Sequence, residues 1–338
     1  MPPLSELIET FPLGRRWSEP QVFEEVVSIG GVEITLAGLS AESADGEMVT
    51  GSAADVSEIP LPRAYFELLE RASVVGLGRD RLEEWPLRDI EGREHGTVPS
   101  SVLSPESPAP ARWRYARSNG VALSSSWSEA CRRSLWELIE RDRILRSWYG
   151  LVEPARLSMA PGAISDALRD LYAFEAYSFD DRPTPEVHVA GVFGFPLVDL
   201  APLLYGFGAR PSRDEALCAA SRECVQRLGF LWGESIPESV PEFEPTPDFH
   251  QELFLCPSKH PVLRAWLDGE HRAAPRQPRR PVAAPTPRLF ADITPPELVR
   301  KLFVAKAVPE DEWPLVFGSG HPYVEDDLPA RLRIHPIA

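Results

Sequence analysis

One short charged pattern recurs three times in this chain: Glu67-x-x-Glu70-Arg71, Glu137-x-x-Glu140-Arg141 and Glu223-x-x-Gln226-Arg227. Each copy falls where the spacing of apolar residues predicts an amphipathic helix. A Glu-x-x-[Glu/Gln]-Arg match arises on the order of 0.1 times by chance in an ordinary chain of this length, so three copies need a cause. Positions i, i+3 and i+4 share one helix face, so each helix presents two oxygen-bearing groups and a guanidinium together. The plain alternative is a surface salt pair, and Arg133-Glu137-Arg141 has the spacing of such a ladder. That explains one copy well. It explains three poorly, because every copy is bracketed by Leu, Ile, Phe or Trp on a helix that packs into a core.

The remaining composition narrows the setting. A chain of 338 residues with 43% hydrophobic and 25% charged content can bury a sizeable core. Net charge is −16, which repels polyanions and argues against a nucleic-acid partner. No apolar run is long enough to span a membrane and the start lacks a signal-peptide pattern, so a soluble cytoplasmic protein is expected. Cys131, Cys218, Cys224 and Cys256 have no zinc or disulfide spacing and are expected to be buried free thiols. Lys259, Lys301 and Lys306 are the only lysines, which leaves little room for lysine chemistry.

Along the chain, Phe23–Leu39 reads as a hairpin around Gly30-Gly31, Gly46–Ser57 as a loop of small residues and Arg63–Ser73 as a helix. Residues 77–117 are aperiodic. The strongest helix follows Ser124-Ser125-Ser126 and runs to about Tyr149, with Leu135, Leu138, Ile139 and Leu145 as its buried stripe. A strand is expected at Val187–Phe195, a turn at Gly206-Phe207-Gly208, a helix from Ser212 to Trp232 and a strand pair within Leu302–Phe317. Residues 234–250, acidic, and 272–288, arginine-rich, carry closely spaced prolines and read as loops or linkers. The fold class is α/β, a mixed α+β arrangement, in a single catalytic domain over 1–338.

Carboxylates, amides and guanidiniums on several helices suit a magnesium–nucleotide site. Magnesium takes hard oxygen ligands shared with phosphates, and arginine forks match phosphate oxygens. No GxxxxGK[ST] loop or kinase motif set is present.

The run Ser118-Asn119-Gly120-Val121-Ala122, then Glu129-Ala130, then Leu135-Trp136-Glu137-Leu138-Ile139-Glu140-Arg141-Asp142, resembles the central signature of the YcaO family. The first and third clusters resemble that family's other nucleotide motifs, and Asp292–Glu297 with Val308-Pro309 and Pro314–Gly318 resembles its last strands. The resemblance implies a YcaO-like fold with mixed sheets and helices surrounding a Mg-nucleotide site, with ATP and Mg2+ as cofactors. It implies ATP-dependent O-phosphorylation of a backbone amide in a ribosomally made precursor peptide. Thiazoline or oxazoline formation by cyclodehydration, or a macrocyclic amidine, would follow. By resemblance, Glu67, Glu70, Glu137, Glu140 and Glu223 are metal ligands, and Asn119, Arg141, Gln226 and Arg227 contact nucleotide. Arg63 stands where the family usually has Ser, and the Thr50–Ala53 stretch lacks a family Lys, so Ser52 or Arg63 is expected to substitute.

The last residues lack the Pro-x-Pro-x-Pro pattern of many azoline formers, and no leader-binding domain is expected before residue 23. That is most similar to standalone bottromycin-type members, with activity expected to survive loss of Pro336–Ala338. A thioamide-forming member with a sulfur-delivering partner, and a degenerate scaffold that only binds the precursor, stay open. So do a homodimer and a separate partner protein. No catalytic base is assigned. His188 reads as a core histidine, His250, His260 and His271 as exposed loop residues, and Trp113, Trp127, Trp136 and Trp148 as core rather than a peptide groove.

Overall fold

The structure, a computed structural model, describes residues 3–77, 84–107, 111–158, 163–181, 186–271 and 287–338. In chain order the first elements are α1 (Leu4–Thr10), β1 (Gln21–Ile29), β2 (Val32–Glu42), β3 (Met48–Asp55), α2 (Leu61–Leu77), β4 (Glu84–Arg88), β5 (Glu94–Pro99) and α3 (Ser100–Leu103). Then come β6 (Trp113–Tyr115), β7 (Val121–Ser124), α4 (Trp127–Trp148), β8 (Ala155–Leu157), α5 (Ala163–Ala167), β9 (Tyr172–Ser178), β10 (His188–Pro196) and β11 (Leu204–Arg210). The last are α6 (Arg213–Leu231), α7 (Pro247–Leu255), α8 (His260–Leu267), β12 (Phe290–Asp292), β13 (Phe303–Ala307) and β14 (Val316–Gly318). The α/β class is as expected. Two compact units emerge: residues 1–105, 120–138 and 284–308 form one, and 106–119, 139–283 and 309–338 the other.

In the first unit, β1, β2 and β3 form an antiparallel sheet in chain order. Its hairpin turns on Gly30 and Gly31, both at positive φ, a conformation that costs a side-chain-bearing residue energy. The small residues expected as a loop are β3 itself. They are small because α2 packs directly on this strand: a Cβ on Gly51 would lie 2.1 Å from the Ala64 carbonyl oxygen. A second antiparallel sheet runs β5-β4-β12-β13-β7. The aperiodic stretch 77–117 therefore contains strands, which Pro86 and a register shift disguise in the sequence. Strand β13 feeds two cores. Val304 joins Leu68, Val121 and Leu39, while Ala305 and Ala307 pack with Ala130, Cys131 and Leu138 of α4.

In the second unit, the antiparallel sheet β11-β10-β9-β8 carries α6. Gly206-Phe207-Gly208 is part of β11, not a turn; its glycines admit α6, since Cβ atoms there would lie 2.3 Å from Ala220 O and 2.4 Å from Ala216 O. Phe179 stacks on Trp266 at 5.2 Å, and Trp148 packs edge-on to Trp266 at 5.4 Å. The late strands do not pair with each other: β13 pairs with β12 and β7, and β14 with β6.

The acidic proline-rich segment keeps its irregular backbone only to Thr246, which caps α7 through Phe249 N. His250 and His271 are buried, and His260 half-buried, rather than exposed. His250 donates from Nδ1 to His335 O at 2.8 Å and accepts from Gly318 N at 2.8 Å, which fastens the C-terminal residues. Residues 272–286 of the basic segment lie outside the described residues. Cys131, Cys224 and Cys256 are buried free thiols as expected, whereas Cys218 is exposed. Among the described residues no helix is long and apolar enough to cross a membrane.

Candidate active site

An edge strand leaves every second N–H and C=O unpaired, and these groups need partners when covered. β3, β7 and β11 are all edge strands, and a motif carboxylate caps each of them. Glu67 Oε2 accepts from Ser52 N at 2.9 Å on β3, Glu70 Oε2 from Leu123 N at 2.8 Å on β7, and Glu223 Oε2 from Phe207 N at 2.6 Å on β11. The close helix approach at Gly51 and Gly206 is what brings Glu67 and Glu223 within reach. Both units use the same device: a three-strand meander, then a helix returning over the third strand.

The first unit brings Ser52, Arg63, Glu67 and Glu70 together. Glu67 also pairs with Arg71 at 2.6 Å through Oε1, so both of its oxygens are engaged. Glu70 Oε1 has no hydrogen-bond or ion-pair partner among the described residues. Arg133 of α4 donates to Leu123 O at 3.1 Å, so backbone N–H and C=O of one β7 residue are both held by charged side chains. Arg63 holds Asp55 at 2.7 Å and Ala54 O at 2.8 Å. A cavity of about 410 Å³ opens here, lined by Arg63, Glu67, Glu70, Ser124, Ser125 and Arg133 among others. Burial pushes the Glu70 carboxyl up to about 7, against the opposing pull of Leu123 N and Arg133. On the same unit, burial brings the Lys306 ammonium down to about 8, while the charge of Glu137 works to raise it.

In the second unit, Glu140 is buried beside Arg141 at 3.4 Å, and Asn119 is buried as well. Arg227 lies 3.9 Å over the Tyr205 ring and donates to its hydroxyl at 3.0 Å. Glu223 Oε1 has no hydrogen-bond or ion-pair partner among the described residues, and Gln226 is half-buried on the same helix. Asp142, next to Arg141, is structural: it accepts from Trp313 N at 2.8 Å and Arg146 Nε at 2.7 Å, and burial raises it to about 6.

Sequence reasoning missed Arg133 as a site residue, along with Ser124 and Ser125. Arg133, whose spacing also suits a salt ladder with Glu137, serves the β7 edge by donating to Leu123 O. The only signal was an arginine four residues before a motif glutamate. Among the described residues no three Asp, Glu, His or Cys side chains form a preassembled metal centre. Magnesium arriving on phosphates takes one or two protein carboxylates rather than a full cage. The open oxygens of Glu70 and Glu223 are donors of the required hard type.

A family described as YcaO cyclodehydratase, ATP- and Mg2+-binding, matches residues 32–290. No curated protein matches. Among solved structures, one of YcaO from Methanopyrus kandleri, bound with AMPPCP and Mg2+, aligns with TM-score 0.56 at 17% identity over 85% of this chain and 84% of that one. A chain of the E. coli microcin synthetase McbBCD complex with pro-MccB17 bound aligns with TM-score 0.63 at 12% identity over 94% and 96%. A heterocyclase in complex with substrate and cofactor gives TM-score 0.55 at 15% identity over 94% of this chain and 52% of that one. At these identities the structural likeness is one of fold. The family match covers most of the chain and all three charged helices, and this protein therefore belongs to the YcaO cyclodehydratases, whose cofactors are ATP and Mg2+.

Proposed function

We propose that this chain, as a single catalytic domain over 1–338, uses Mg·ATP to O-phosphorylate a backbone amide of a ribosomally made precursor peptide. Cyclodehydration to an azoline, or closure of a macrocyclic amidine, follows. The observation that carries the reading is the pinning of Glu70 and Glu223 by one oxygen each to an edge-strand N–H, with the second oxygen open. An amide oxygen leaves poorly, and phosphorylation makes it a good leaving group; bound Mg2+ would neutralise phosphate charge as that transfer proceeds. The candidate metal carboxylates are Glu70 and Glu137 in the first unit and Glu140 and Glu223 in the second, of which magnesium needs one or two. Glu67, with both oxygens engaged, would keep α2 on β3 and so aim Glu70. Arg63, Arg141 and Arg227 would meet phosphate oxygens, with Ser52, Asn119 and Gln226 as polar contacts.

The states named for the solved relatives, AMPPCP with Mg2+, a substrate with cofactor, and a microcin synthetase McbBCD complex with pro-MccB17 bound, support a precursor substrate and a partner protein here. The test is mass spectrometry of candidate precursor peptides incubated with the protein, ATP and Mg2+. Loss of one water per event, abolished by EDTA, is expected. Exchange of oxygen for sulfur would make it a thioamide former. Absence of both ATP consumption and peptide change would reduce it to a binding scaffold.

A further inference from the structure

Amide activation needs a proton acceptor for the attacking nucleophile, and none of the motif residues offers one: the arginines cannot accept, and the carboxylates are committed to backbone N–H groups or metal. Resting on the proposed function, we infer that His188 is that acceptor. Asp180 Oδ2 lies 2.9 Å from His188 Nδ1, and its Oδ1 accepts from Val189 N at 2.9 Å. Arg143, itself buried, stands 3.4 Å from Asp180, 3.3 Å from Asp181 and donates to Val187 O at 2.7 Å. This buried carboxylate makes Nδ1 the donor and leaves Nε2 as the lone-pair acceptor. The imidazole is 20% exposed, and Nε2 has no protein partner among the described residues. A purely structural knot would be complete with Arg143 and Asp180.

The placement also fits. His188 faces Arg210 across β10 and β11, and three residues along the same strands Gly191 faces Phe207, whose N–H holds Glu223. That is about 10 Å at the rise of a strand. Arg143 lies one helical turn beyond Glu140 on α4. In the step itself, the lone pair of a thiol, hydroxyl or amine forms the bond to the amide carbon and the carbonyl π pair moves to oxygen. The nucleophile's proton passes to Nε2, giving an imidazolium paired with Asp180.

The test uses the full chain with Mg·ATP and the precursor whose loss of water it catalyses. His188→Gln keeps a donor toward Asp180 but no basic nitrogen, so the rate should fall about 100-fold or more with nucleotide affinity and thermal stability unchanged. His188→Ala should fall likewise and regain part of its rate on addition of free imidazole. A wild-type rate in His188→Gln, or a loss explained by weakened ATP binding, overturns the inference while leaving the proposed function standing. If the wild-type protein itself turns over no peptide with ATP, both fail together.

Discussion

Glu70 shows how one residue serves both fold and chemistry. Its half-buried carboxyl accepts the Leu123 N–H, and desolvation pushes it up to about 7, against the pull of that N–H and of Arg133. An acid whose folded pKa is raised adds no penalty below its unfolded pKa, and destabilises progressively as pH rises from there through the folded value. Glu70→Gln, which keeps the hydrogen bond without the charge, should therefore match the wild type at pH 4.5 and be the more stable of the two at pH 8. Denaturant melts at the two pH values measure this, and equal stabilities at pH 8 would refute the assignment. Glu67 is a different case, because Arg71 occupies its second oxygen. We expect Glu140→Gln and Glu223→Gln to abolish ATP turnover in folded protein, and Glu67→Gln to retain a measurable fraction. Steady-state ATPase assays on the three variants separate metal ligands from a positioning carboxylate.

At the level of elements, the recurring unit is a helix pressed onto the third strand of a meander. The amphipathic periods of α2, α4 and α6 were legible, as were the Ser212 cap and the Gly30-Gly31 turn, because these are local properties of neighbouring residues. The strand character of β3 and β11 was not. Their glycines and alanines have low intrinsic strand preference and read as loops, yet they are small because a helix backbone lies against them. Gly206→Ala should push α6 off β11 and cost about 1–3 kcal/mol, with ATP affinity falling alongside because Glu223 loses Phe207 N. Thermal melts and nucleotide titration of this variant test it; unchanged affinity would mean that Glu223 does not depend on the contact.

For the molecule as a whole, the C-terminal residues are built in. Ile337 is buried, and His335, His321 and His250 form an uncharged cluster, with burial lowering His321 and His250 to about 4 and His335 further. Bases with depressed folded pKa values stabilise the fold above their unfolded pKa, near 6.5, and lose that contribution as pH falls toward the folded one. Unfolding free energy should thus drop between pH 6.5 and 4, opposite in sign to the Glu70 effect, and by less in a His250→Gln, His321→Gln variant. Removing Pro336–Ala338 should cost about 2 kcal/mol through loss of the Ile337 side chain. Equilibrium unfolding of the truncated chain checks this, and unchanged stability would contradict the burial.

The chain's own residues announced the three charged helices, the mixed α/β class and, through the Asn119-Gly120 and Glu137–Asp142 signature, the family. All of these reside in spacing along one helix or in a contiguous motif. What each charge does came only from the fold. The sequence does not say which strands lie at a sheet's edge, and edge position is what turned Glu67, Glu70, Glu223 and Arg133 from surface pairs into caps on unpaired backbone. Nor does spacing reveal that a hairpin folds Asp180 back onto His188, or that the histidines of a proline-rich stretch are core. Those outcomes depend on which distant segments become neighbours, and only closing the sheets decides that.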